Sequence, residues 1–173
     1  MAYHPHGEPI VRIGYPPHSI HIHQLPPHAL IWDIQAAITR RLAMWSLFSA
    51  VSGLVMLITR VPFLRGLGTQ FLGWSAVHIT GATIAQRASN IRLAQPDALS
   101  DPAMCAECDA LERTLWTSAA FDTLYITAGA LLAFDSQAPG DEQRGHGAGI
   151  MAQGGFLLLF DIAHAIMVRR RNR

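Results

Sequence analysis

Four runs of this chain stay apolar for as long as a helix needs to cross a bilayer. Each helical residue advances about 1.5 Å and the hydrocarbon layer is about 30 Å thick, so a span takes about 20 predominantly apolar residues. Residues 42–59, 66–85, 114–134 and 147–168 meet that requirement. Arg brackets the runs: Arg40, Arg41 and Arg60 flank the first, Arg65 and Arg87 the second, Arg113 precedes the third, and Arg169, Arg170 and Arg171 stop the fourth. The pattern predicts an all-α fold, an integral membrane four-helix bundle occupying residues 42–173.

Two further elements precede the bundle. Residues 1–28 hold six His and six Pro, a composition without the apolar content of a packed core, so they read as an extended tail. Residues 29–41 place Leu30, Ile31, Ile34 and Ile38 near helical spacing and predict an interfacial helix leading into the first span. Asp101-Pro102 has the form of a capping residue followed by Pro at the first helical position, which starts the third helix well before its apolar run.

Composition supports the membrane reading. Half of the 173 residues are hydrophobic and 14% are charged, against roughly 25% charged in an ordinary soluble protein. A net charge of +1 with Arg gathered at the ends of apolar runs excludes a nucleic-acid binder, which needs a basic patch facing phosphates. No compact apolar region marks a secretory signal peptide in the first 28 residues, so the N-terminus is expected to be retained. Cytoplasmic flanks are enriched in Arg and Lys. The tail, the second connection and the C-terminus together hold ten Arg, and the opposite side holds Arg60, Arg65 and Arg144. Both termini are therefore expected in the cytoplasm, with the turn at Val61-Pro62 and the loop 135–146 outside.

Ionisable residues inside a span are costly and face the bundle interior, which makes each one a site candidate. There are four: His78, Asp122, Asp161 and His164. The first three lie seven or eight residues, roughly 10 to 12 Å, from the cytoplasmic ends of their helices, so three helices bring a polar group to one layer. Faces match as well. Gln70, Trp74 and His78 share a stripe, as do Ser118, Asp122 and Tyr125, and as do Gln153, Leu157, Asp161 and His164; the first helix adds Ser46, Ser49, Ser52 and Gly53. For Gln153, Tyr125 and the Ser residues the expected role is interhelical hydrogen bonding, at about 0.6 kcal/mol each. For the four ionisable residues three functional readings stand beside it: a divalent metal ion held by His78, Asp122, Asp161 and His164, a proton relay, or bis-His haem ligation by His78 and His164.

Cys105-Ala106-Glu107-Cys108 falls in the expected cytoplasmic connection. An isolated Cys-x-x-Cys most often is an incidental pair on a helix; the sharper reading is a second metal site completed by His18, His21, His23 or His28 of the tail. No phosphate loop, His-Glu-x-x-His, nucleophile elbow or dinucleotide fingerprint occurs.

Phe121-Asp122 with Tyr125 and Gly129, then Gly145, Gly147, Gly149, Gln153-Gly154, Phe156-Leu157-Leu158 and Asp161 with His164, resemble a family of small four-helix bacterial membrane proteins known as a domain of unknown function. The Trp74 to His78 spacing is similar too, although Asn is more usual in that family at position 78, so the resemblance does not support His78 as a ligand. It covers about residues 42–170 and implies a four-helix architecture with no assigned activity. The expected function is a non-catalytic accessory or scaffolding subunit of a larger complex in the bacterial inner membrane, with lipid and a membrane protein as partners. The alternative is an intramembrane metal-binding or proton-relay protein using the His/Asp layer.

Overall fold

The four apolar runs fold as four helices, each longer than the run that predicts it. They are α1 (Leu30–Leu57), α2 (Pro62–Leu93), α3 (Asp101–Phe134) and α4 (Asp141–Arg171). The computed structural model describes residues 30–134 and 140–171, and among them there is no strand. The tail at 1–28 and residues 135–139 of the expected outer loop lie outside the described residues.

Local chemistry sets the helix ends. Val61 is extended (φ −86°, ψ 114°) and Pro62 occupies the first position of α2, where its missing N–H costs nothing and its ring supplies a helical φ. At the start of α3 the cap is Ser100, one residue earlier than the Asp101-Pro102 pattern suggests: its Oγ accepts a hydrogen bond from the Ala103 N–H at 3.4 Å. Asp101 then sits in the first turn, where a negative charge meets the positive end of the helix dipole.

The stretch expected as an interfacial helix and the first span run together as one helix. Ile31, Trp32 and Ile34 are buried against Met104, Cys108, Leu115, Ala165 and Val168. This end of α1 therefore packs inside the chain, onto the starts of α3 and the end of α4.

Along the bundle α1 packs on α2, α2 on α4, and α4 on α3. Small residues set all three separations: between α2 and α4, a Cβ on Gly66 would meet the Glu142 carbonyl oxygen and one on Gly145 that of Phe63. A Cβ on Gly53 would stand 2.8 Å from the Gly68 carbonyl oxygen, and one on Gly68 would stand 2.7 Å from that of Gly53. Gly129 and Gly147 repeat the arrangement between α3 and α4, at 2.8 and 2.6 Å. Backbones this close leave room for glycine alone, the packing that small residues permit between membrane helices.

Two of the helices, α3 and α4, are long and apolar enough to cross a membrane. Only 17% of the apolar window of α3 is buried inside the chain. Phe121, Leu124, Leu131 and Phe134 point outward from it.

Candidate functional site

The interior of the bundle is polar at several positions, with Ser49, His78, Asp122, Gln153, Asp161 and His164 all buried. Gly154 brings α4 against α3 beside Asp122: a Cβ there would lie 3.0 Å from Ile126 Cγ1 and 3.3 Å from the Asp122 carbonyl oxygen. That approach brings the carboxyl groups of Asp122 and Asp161 within reach of each other.

His164, one turn beyond Asp161, is engaged on both ring nitrogens. Nε2 lies 2.8 Å from Arg41 Nη1 on α1, and Nδ1 lies 2.7 Å from the Phe160 carbonyl oxygen. A guanidinium only donates, so Nε2 accepts and Nδ1 carries the proton that it donates to Phe160. The ring is therefore the neutral Nδ1–H tautomer with no lone pair left over. A metal ion or a haem iron would have to displace Arg41 to reach it.

His78 is placed differently. Its ring is 5% exposed, and neither nitrogen has a hydrogen-bond partner. Trp74, one turn away on α2, packs edge-on against Tyr125 of α3 with ring centroids 5.0 Å apart. One turn from Trp74 toward the end of α2 is His78, and one turn from Tyr125 toward the start of α3 is Asp122, so the two stand at one level of the bundle. Asp122 Oδ2 also lacks a partner. Among the described residues no three His, Cys, Asp or Glu side chains come close enough to hold a metal ion. The four candidates thus divide into a carboxyl pair, a histidine bound to arginine, and a second histidine with both nitrogens free.

Gln153 is the hub of the half of the bundle nearer the α3–α4 connection. It is fully buried, its Oε1 accepts from Trp45 Nε1 at 2.9 Å, and its Nε2 donates to Ser49 Oγ at 3.1 Å. The Trp45 ring stacks on Phe156 with centroids 3.7 Å apart. Arg41, in sequence a flank of the first apolar run, and Trp45 thus both belong to the polar interior. Their signal was present: Arg41, Trp45, Ser49 and Gly53 recur every four residues and so line one face of α1. Nearer the α2–α3 connection a second network was also unforeseen. Gln35 Nε2 donates to Glu107 Oε2 at 3.1 Å, Ser89 Oγ donates to Gln35 Oε1 at 2.7 Å, and Arg92 Nε pairs with Glu107 Oε1 at 2.7 Å.

Cys105 is half-buried and Cys108 buried, both as free thiols. Burial pushes the Cys108 thiol up, and the neighbouring Cys105, Asp109 and Glu107 add to the shift. His18, His21, His23 and His28, invoked for a second metal site, lie outside the described residues.

No curated protein and no solved structure matches the chain. Residues 41–162 match a family of unknown function, a segment that begins at Arg41 and contains Trp45, His78, Asp122, Gln153 and Asp161. The chain belongs to that family of unknown function, DUF6992.

Proposed function

We propose that the chain is a non-catalytic accessory or scaffolding subunit of a larger complex in the bacterial inner membrane, crossing it four times with both termini in the cytoplasm. The observation that carries this reading is the outward face of α1. Met44, Leu47, Val51 and Leu54 are each more than half exposed and recur at intervals of three and four residues. That is the seam spacing by which one helix receives the side chains of another. The interior supports the same reading, because Gln153, Ser49, Trp45, Arg41 and His164 bond helix to helix. The test is a photo-crosslinking residue placed at Leu47 or Leu54 in native membranes, beside one at Leu124 on α3. A discrete protein adduct from the α1 positions and none from Leu124 is expected; adducts with lipid alone at all three positions would remove the basis for a partner.

A second reading is favoured by one feature, the unpartnered nitrogens of His78 level with the Asp122–Asp161 pair. In it the layer binds a cation or hands on a proton. Elemental analysis of the purified chain beside Asp161→Asn and His78→Ala separates the two. Metal present in the wild type and lost in both variants would favour the site, whereas metal-free protein with a small loss of stability would favour interhelical bonding.

A further inference from the structure

Arg169 and Arg170, at the end of α4, stand over an apolar floor. With Trp116 of α3 and Ile166 of α4 they line a groove of about 330 Å³ between the two helices. Trp116 and Ile166 are 40% and 39% exposed. Below the arginines the outward face of α4 continues through Ile166, Ala163 and Leu159, all exposed and three or four residues apart. The groove is therefore cationic at its mouth, and an exposed apolar face of α4 runs on from its floor.

The charge at the mouth is largely uncompensated. Arg169 approaches Glu112 at 3.9 Å, with its side chain 55% exposed, a loose and solvated pair of the kind that contributes little. Arg170 has no carboxylate within ion-pair distance among the described residues. The carboxylates of Asp109 and Glu112 line an adjoining groove, on the other side of Trp116 together with Arg113 and Thr117. A ligand with a negative head and an apolar tail fits the first groove. A free anion would use the mouth and leave the floor unfilled.

We infer that this groove between α3 and α4 binds the headgroup of an anionic phospholipid, with its phosphate on Arg169 and Arg170 and an acyl chain along Ile166, Ala163 and Leu159. Basic pockets between helices on the cytoplasmic side bind such headgroups, and Trp seats at the headgroup level. The inference rests on the membrane reading above, with the end of α4 on the cytoplasmic side.

The experiment uses the full chain purified in mild detergent, melted with added phosphatidylglycerol, phosphatidylcholine or inorganic phosphate. Phosphatidylglycerol should stabilise the wild type and bind on the order of tenfold more tightly than to the Arg169→Gln/Arg170→Gln variant. Arg40→Gln, an exposed arginine of α1, serves as the charge control and should bind like the wild type. Equal stabilisation by phosphatidylcholine, equal stabilisation by inorganic phosphate, or an Arg40→Gln loss as large as that of the double variant would each overturn the inference. Carbonate extraction of cell membranes separates the two levels of failure. A chain released by carbonate sinks the membrane reading and this site with it, whereas a chain retained without lipid preference sinks the site alone.

Discussion

Arg41 on α1 donates to Nε2 of His164 on α4 across 2.8 Å, and the Phe160 carbonyl oxygen takes the proton on the other ring nitrogen. One arginine thus fixes the tautomer of one histidine and adds a tie between α1 and α4 to those that Gln153 makes with Trp45 and Ser49. A double-mutant cycle of Arg41→Gln and His164→Ala, read by thermal melting in detergent, should give a coupling of about 1 kcal/mol or more. Additive single effects would mean that the pair does not join the helices.

Gln153 should be the most sensitive polar position in the half of the bundle nearer the α3–α4 connection. Gln153→Leu keeps the volume but strands Trp45 Nε1 and Ser49 Oγ, two groups it now satisfies. The expected loss is roughly 1–3 kcal/mol. Trp45→Phe in the Gln153→Leu background should then cost little, since its indole N–H has already lost its acceptor. A large further loss would show that stacking on Phe156 matters more than the hydrogen bond.

Glycine substitutions should divide sharply by place. Gly147→Ala and Gly68→Ala put a methyl group against a neighbouring backbone and should open the bundle, giving poor yield or a large fall in melting temperature. Gly73→Ala and Gly81→Ala meet nothing within 4 Å. They should be neutral or stabilising by up to about 1 kcal/mol, because Ala loses less conformational freedom in a helix. Similar outcomes in both groups would contradict the close approach of α1 to α2 and of α3 to α4.

Cys108 should resist thiol reagents at neutral pH while Cys105 labels. Burial and negative neighbours make the Cys108 thiolate scarce, and the side chain belongs to the same buried cluster as Ile31 and Met104. The sign of its pH effect follows. The folded state holds the proton more tightly than the unfolded chain, so this contribution to stability is intact below the ordinary thiol range and is lost as pH rises through and above it. Mass-resolved maleimide labelling of the native chain checks the order; equal rates would place Cys108 at the surface.

The sequence disclosed the helices because apolar length is a property of the chain itself. Leu42, Gly66, Thr114 and Gly147 open the four apolar runs, and each run lies within, or ends just past, a longer helix. The extra length was harder to read, since Ile31 and Trp32 gain their burial from Met104 and Val168, residues far away in the chain. Depth matching brought Asp122 and Asp161 to one layer, where the two carboxyl groups come within reach of each other. Periodicity gave no means of telling which buried groups would find partners. His164 and His78 look alike in sequence, but an arginine one turn before Trp45 reaches only the first. Pairing of this kind depends on how helices rotate about their axes, which contacts such as Gly129 with Gly147 determine.

The most direct test of the accessory-subunit reading is the composition of the particle released from native membranes by mild detergent, weighed by native mass spectrometry. The account predicts a discrete assembly in which this chain is joined at fixed stoichiometry to another membrane protein, and in which polar substitutions at Leu47 and Leu54 release it. A lone chain of 18.9 kDa with bound lipid, unchanged by those substitutions, would contradict it.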